Sequence, residues 1–135
     1  AVTFTAMGGS NELIYHTNVM LCIGHSYAII GEDTIVIEDR ERVLNALTSS
    51  GKKLLTLTND QVYKSFTGNM LQLQNDNGET VLTMSDSAHK SLSSSQLNFI
   101  NSHNDKIVVA KIPTIEKVGG GSARCMLAEI FTPTA

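Results

Sequence analysis

Cys125 follows the run Gly119-Gly120-Gly121-Ser122-Ala123-Arg124, so one of only two cysteines stands just past three glycines and beside a guanidinium. Glycine-rich backbone lets a substrate approach the main chain closely. A neighbouring cation favours the thiolate, which is the nucleophilic form of cysteine. An imidazole within reach completes the minimum for thiol-based covalent catalysis, and His16 is the candidate. Asn18 follows it by two residues, and in a strand that spacing sends both side chains to one side. Two plainer readings stand beside this chemistry. The glycines are also consistent with a loop before a structural strand cysteine, and His16, at the start of an apolar run, with a satisfied structural histidine.

Other chemistries find less support. Cys22, Cys125 and the four histidines (His16, His25, His89, His103) show no C-x-x-C or H-x-x-x-H spacing, so no metal site is predicted. A phosphate loop needs Lys-Ser or Lys-Thr after the glycines and a helix beyond, whereas the run from Cys125 reads as a strand. A serine nucleophile needs a Gly-x-Ser-x-Gly elbow, which the chain lacks. The serines from Ser85 to Ser95 read as turn and helix-cap residues, and Asp39-Arg40-Glu41-Arg42 as a solvated helix face. No cofactor is implied.

The elements that must position these residues repeat along the chain. In the first unit, about residues 15–58, Tyr15 to Gly24 reads as a strand and Tyr27–Ile30 as a second. Asp39 to Ser49 reads as a helix with Val43, Leu44 and Leu47 on its apolar face, and Leu54–Thr58 closes the unit as a strand. In the second unit, about 68–112, Asn69–Gln74 and Thr80–Met84 flank an Asp76-Asn77-Gly78 turn, a strong hairpin signal. Short helices over Asp86–Leu92 and Ser95–Ser102 lead to a strand at Ile107–Ile112, stopped by Pro113. Leu54 and Ile107 lie 53 residues apart, Asn18 and Asn69 lie 51 apart, and both units run strand, strand, helix, strand. A third unit opens with a strand at 125–131. Aligning the unit starts makes Asn18, Asn69 and Cys125 equivalent, so in a ring of such units they converge on one pocket.

Composition bounds the rest. A chain of 135 residues fits one domain with a real core. With 41% hydrophobic and 17% charged residues it reads as an ordinary soluble globular protein. A net charge of −3 argues against nucleic-acid and membrane-surface partners, and no apolar run approaches a membrane span. Without an export signal the default compartment is cytoplasmic, with reduced thiols. The chain opens at Ala1 on a β-like run, Ala1–Ala6, and its third unit is unfinished. Both features lead us to expect that residues 1–135 are a portion of a larger ring.

Tyr15-His16-Thr17-Asn18-Val19-Met20, Gly68-Asn69-Met70, Ser85 to Leu92, and Ile115-Glu116 leading into Gly-Gly-Gly-Ser-Ala-Arg-Cys-Met together resemble the arginine deiminase/amidinotransferase (pentein) superfamily. The branch it resembles includes dimethylargininase-like and citrulline-utilisation hydrolases. The resemblance implies a five-bladed α/β propeller of ββαβ modules with the active site on the central axis. This chain would supply the C-terminal portion, two modules plus the ring-closing strand. It implies Cys125 as nucleophile toward a guanidinium or ureido carbon, and His16 as general acid and base. Asn18, Asn69 and Arg124 would bind substrate beside the loop Gly119, Gly120 and Gly121. The acidic residues that orient such a histidine would come from N-terminal modules, the remaining partners of this chain; open strand edges also permit a homo-oligomer. Arginine deiminases and amidinotransferases typically carry an aspartate two residues after the histidine, to pair with a guanidinium. Here Asn18 stands there and favours a neutral ureido group such as citrulline's. The contrasting reading is a non-catalytic α/β domain that binds a partner through its ring edges and keeps Cys125 as a structural residue.

Overall fold

The computed structural model describes residues 1–129. Its frame is two three-stranded sheets built to the same plan. In the first, β1 (Leu21–Ile23) pairs antiparallel with β2 (Tyr27–Ile30), Leu21 opposite Ile30. Helix α1 (Ile37–Ser49) then returns the chain so that β3 (Lys53–Thr56) lies parallel to β2, Tyr27 opposite Lys53. In the second, β4 (Leu71–Gln74) and β5 (Thr80–Ser85) form the antiparallel hairpin predicted from Asp76-Asn77-Gly78. The Asn75 side chain accepts the Asn77 and Glu79 amides, and Gly78 takes a φ of +82° at the turn. Helices α3 (Asp86–Ser91) and α4 (Ser94–Asn101) lead to β6 (Lys106–Ala110), parallel to β5. The predicted order of strand, strand, helix, strand thus recurs in both sheets.

The core lies where the central strands are covered on both faces. All four residues of β2 are buried, which is why that strand reads as a continuous apolar run, whereas β5 buries Leu82 and Met84, two residues apart on one face. Met20, Met70 and Ile100 are fully buried in the same cluster. The sheets are also tied by polar side chains: Gln72 Nε2 and Tyr27 Oη both donate to Asn104 Oδ1, at 2.6 and 3.1 Å. Ser85 and Ser93 cap α3 and α4 through their side chains, as predicted for that serine-rich stretch.

Five expectations need correction. Tyr15 to Gly24 is not one strand: His16 caps a 3₁₀ turn at Thr17–Val19 and only Leu21–Ile23 pairs. The Val19 and Met20 amides bond back to His16 and Thr17 carbonyls, so strand alternation does not relate His16 to Asn18. The segment from Cys125 is not a strand over its described residues. Ala123–Met126 forms a 3₁₀ turn, closed by the Cys125 amide on Ser122 O and the Leu127 amide on Arg124 O. Residues 130–131 of that predicted strand lie outside the described residues. The Ala1–Ala6 run makes only an isolated bridge, Ala6 with Ile35.

Two helices complete the corrections. Thr58, read as the end of a strand, instead caps α2 (Asn59–Ser65) in a capping box with Gln61. Pro113, read as a strand stop, opens α5 (Pro113–Gly119) at its first turn, where a missing N–H and a fixed φ are compatible with a helix. Gly119 is therefore helical, and Gly120 ends α5 in the left-handed conformation with φ +66°.

Candidate active site

The site forms where the chain enters β1 and β4. Asn18 sits in the 3₁₀ turn before β1, and Asn69 lies two residues before β4. Between them Gly68 packs directly on backbone: a Cβ there would meet Val19 O at 2.4 Å and Met20 Cα at 2.7 Å. That approach lets Asn69 Nδ2 donate to Asn18 O at 2.9 Å. The turn bearing Cys125 docks on the same pair. Asn69 Nδ2 lies 3.2 Å from Cys125 Sγ and Asn18 Nδ2 lies 3.7 Å from it. The Cys125 amide also donates to Asn69 Oδ1 at 3.4 Å, and the Arg124 amide to Asn69 O at 3.4 Å. Residues 18, 69 and 125, aligned in sequence as unit starts, are thus brought together in space. Cys125 is exposed, whereas Asn69 is 3% exposed. The arrangement is a solvent-reachable thiol with carboxamide donors on its sulfur.

Arg124 turns elsewhere. Its Nη1 donates to Leu21 O at 3.3 Å, anchoring the turn to β1. The acidic group its charge acts on is Cys22: burial pushes that thiol up to about 12, and Arg124 partly offsets the rise. Cys22 is therefore a protonated, inaccessible thiol at neutral pH.

His16 is exposed, edge-on to Tyr15 with ring centroids 5.2 Å apart. It lines a cleft of about 250 Å³ with Glu12, Tyr15, Val19 and Gly120. The cleft joins His16 to the end of α5, but no hydrogen bond links His16 to Cys125 among the described residues. An open groove of about 690 Å³ lies between α2 and the start of α4 and is lined by none of the predicted site residues. Among the described residues no group of three or more His, Cys, Asp or Glu is placed to hold a metal ion. No helix of the described residues is long and apolar enough to cross a membrane.

Sequence reading did not assign a role to Glu116. It lies in the first turn of α5, and its carboxylate accepts Ser87 Oγ at 2.8 Å and Ser122 Oγ at 2.7 Å. Ser122 is wholly buried, and its carbonyl accepts the Cys125 amide. Ser85 Oγ stands 2.9 Å from Ser87 Oγ and accepts the Ala88 amide at the start of α3. A hydrogen-bonded chain therefore runs from α3 through Glu116 to the cysteine turn. The signal available was Pro113 with Glu116 three residues on, a helix start that hides behind the usual reading of proline as a breaker. Glu116→Ala leaves two serine hydroxyls without their charged acceptor and should lower stability by about 1–3 kcal/mol in chemical denaturation. A change below about 0.5 kcal/mol, the range of ordinary surface substitutions, would show that the carboxylate does not hold the turn.

Two sheets of this plan with a cysteine turn docked on their entry loops form a mixed α/β fold. The apo crystal structure of ArgZ, an arginine dihydrolase from the ornithine–ammonia cycle in cyanobacteria, superimposes with a TM-score of 0.67 at 12% identity. The match covers 93% of this chain and 18% of that one, so this chain spans under a fifth of its structural relative. Residues 1–132 match the family described as N,N dimethylarginine dimethylhydrolase, eukaryotic, and the chain belongs to that family. A search of curated proteins found no match.

Proposed function

We propose that the full protein is a cysteine-dependent hydrolase acting on a C–N bond of a ureido or guanidino amino acid, with Cys125 as nucleophile and His16 as general acid and base. The observation that carries this reading is the Cys125 sulfur: exposed, yet bonded by buried Asn69 and flanked by Asn18. Membership of the dimethylarginine dimethylhydrolase family supports it. The recurring strand, strand, helix, strand plan supports reading the two sheets as two modules of a five-bladed ring completed by N-terminal modules. Exposed Val108 and Val109 on β6 are apolar surface for such a neighbour.

In the proposed reaction the Cys125 thiolate attacks the planar carbon, forming an S–C bond. The C–N bond breaks as His16 delivers a proton to the leaving nitrogen. Water then attacks the thioester-like carbon while His16 takes its proton, the S–C bond breaks, and the thiolate returns. Acidic residues that orient His16 belong to the missing modules in this reading. The exposed position of His16 beside an open cleft is consistent with such a completion.

Asn18 sets the proposed substrate preference. A carboxamide donates to a neutral carbonyl but gives a guanidinium no charge-assisted partner, a difference of about 1.5–3 kcal/mol. Citrulline is therefore favoured over arginine and methylated arginines. With full-length protein, citrulline should show kcat/KM at least about tenfold above either guanidino substrate. Asn18→Asp should move that ratio about 10–100-fold toward the guanidino substrates. Faster turnover of arginine or dimethylarginine by the unaltered protein would overturn the ureido preference while leaving the hydrolase intact.

A further inference from the structure

Resting on the reading of Cys125 as nucleophile, we infer that Asn69 acts on the cysteine and not on the substrate: its carboxamide fixes the nucleophile's backbone and donates to its sulfur. Every polar atom of Asn69 has a partner inside the protein. Its amide donates to Phe66 O at 2.8 Å, and its carbonyl accepts the Arg124 amide. A carboxamide nitrogen carries two N–H donors, and those of Asn69 point to Asn18 O and to Cys125 Sγ. Its Oδ1 accepts the Cys125 amide. No donor remains for a substrate, and at 3% exposure there is little room for one. Asn18 differs: it is half-buried, and among the described residues its side chain makes one long hydrogen bond, 3.7 Å to the sulfur. The two asparagines, equivalent in the repeat, therefore divide the work. Asn69 holds the thiol and Asn18 faces the substrate.

The chemistry follows from what a donor does at sulfur. An N–H aimed at Sγ interacts more strongly with thiolate than with thiol, so it favours the reactive form. The Cys125 amide, which closes the 3₁₀ turn on Ser122 O at 3.0 Å, is shared with Asn69 Oδ1 at 3.4 Å, and this ties the turn to Asn69 so that the sulfur stays on the donor. Exposure alone would leave the side chain free to turn away. Conversely, a side chain that only bound substrate would leave the thiol's own reactivity unchanged.

The test compares iodoacetamide labelling of Cys125 and Cys22 at neutral pH in full-length protein and in Asn69→Asp and Asn69→Ala, resolved by peptide mass spectrometry. Asn69→Asp keeps the shape but puts a carboxylate oxygen against the sulfur. Cys22, at 1% exposure, reports whether the core stays closed. Cys125 labelling should fall about tenfold or more in both variants, with Cys22 still protected. In steady-state assays kcat should fall similarly while KM moves less than about threefold. Wild-type labelling of Cys125 in either folded variant overturns the inference. So does a rise in KM with unchanged labelling, which would make Asn69 a substrate ligand. Loss of Cys125 reactivity only together with exposure of Cys22 in both variants would make Asn69 merely structural and also overturn it. Labelling needs no turnover, so it is separable from the hydrolase reading, which fails instead if Cys125→Ser retains activity.

Discussion

Replacing Cys125 by serine in the full protein is expected to reduce hydrolysis of ureido and guanidino amino acids by about 10⁴-fold or more. The size of the effect follows from chemistry. A serine hydroxyl has no neighbouring base among the Cys125 contacts, whose partners on Sγ are the donors Asn69 and Asn18. Donors can stabilise a thiolate, but they cannot withdraw a proton from an alkanol. Stability should change little, by less than about 1 kcal/mol, because Cys125 is exposed and its amide bonds to Ser122 and Asn69 do not involve the sulfur. Equal thermal midpoints with collapsed activity would place the effect in the reaction step. Residual activity above about one per cent would place the nucleophile elsewhere.

Gly68→Ala is expected to be the most damaging single methyl group in the site. The added Cβ would fall 2.4 Å from Val19 O and 2.7–2.8 Å from Met20 backbone atoms. These are main-chain atoms, and Met20 is fully buried, so no flexible side chain can make room. Overpacking of this kind costs about 1–3 kcal/mol, occasionally more, and the backbone here must separate by on the order of 1 Å to reach ordinary contact. The next residue is Asn69, so that displacement passes directly to the Cys125 turn. A misplacement of about 1 Å costs on the order of 10²-fold in rate. Urea denaturation should show a lower midpoint, and kcat should fall even where the variant remains folded. An unchanged midpoint with normal kcat would mean that the Gly68–Met20 contact does not set the site. Gly120→Ala is a useful contrast, since nothing lies within 4 Å of its Cβ and only its φ of +66° is strained.

The difference between these glycines also marks what could be read without coordinates. The glycine run before Cys125 suggested an open loop for substrate. In the fold its parts serve separate ends: Gly119 finishes α5, Gly120 is a left-handed cap, and Gly121 lies against the Cys125 side chain, where a Cβ would be 3.0 Å from Sγ. Composition carries no information on which of these a given glycine does. Apolar periodicity located the central strands and α1, because burial on one or both faces writes itself into residue type. Cap-defined helices without a long apolar face, α2 and α5, escaped it. Their start signals, Thr58-x-x-Gln61 and Pro113 ahead of Glu116, were present but short. The convergence of Asn18, Asn69 and Cys125 was legible for a different reason. A repeat carries three-dimensional information, since equivalent positions in successive units come to equivalent places. What the repeat could not supply was the division of roles between the two asparagines, which depends on where two N–H bonds point.

The measurement that tests the central claim most directly is the intact mass of full-length protein quenched in acid during turnover of citrulline, arginine and dimethylarginine. A covalent route through Cys125 predicts an added mass equal to the substrate less its leaving amine. Peptide mapping should place it on Cys125, and it should vanish in Cys125→Ser together with turnover. Turnover that persists in Cys125→Ser, or an adduct mapped to any other residue, would contradict the account.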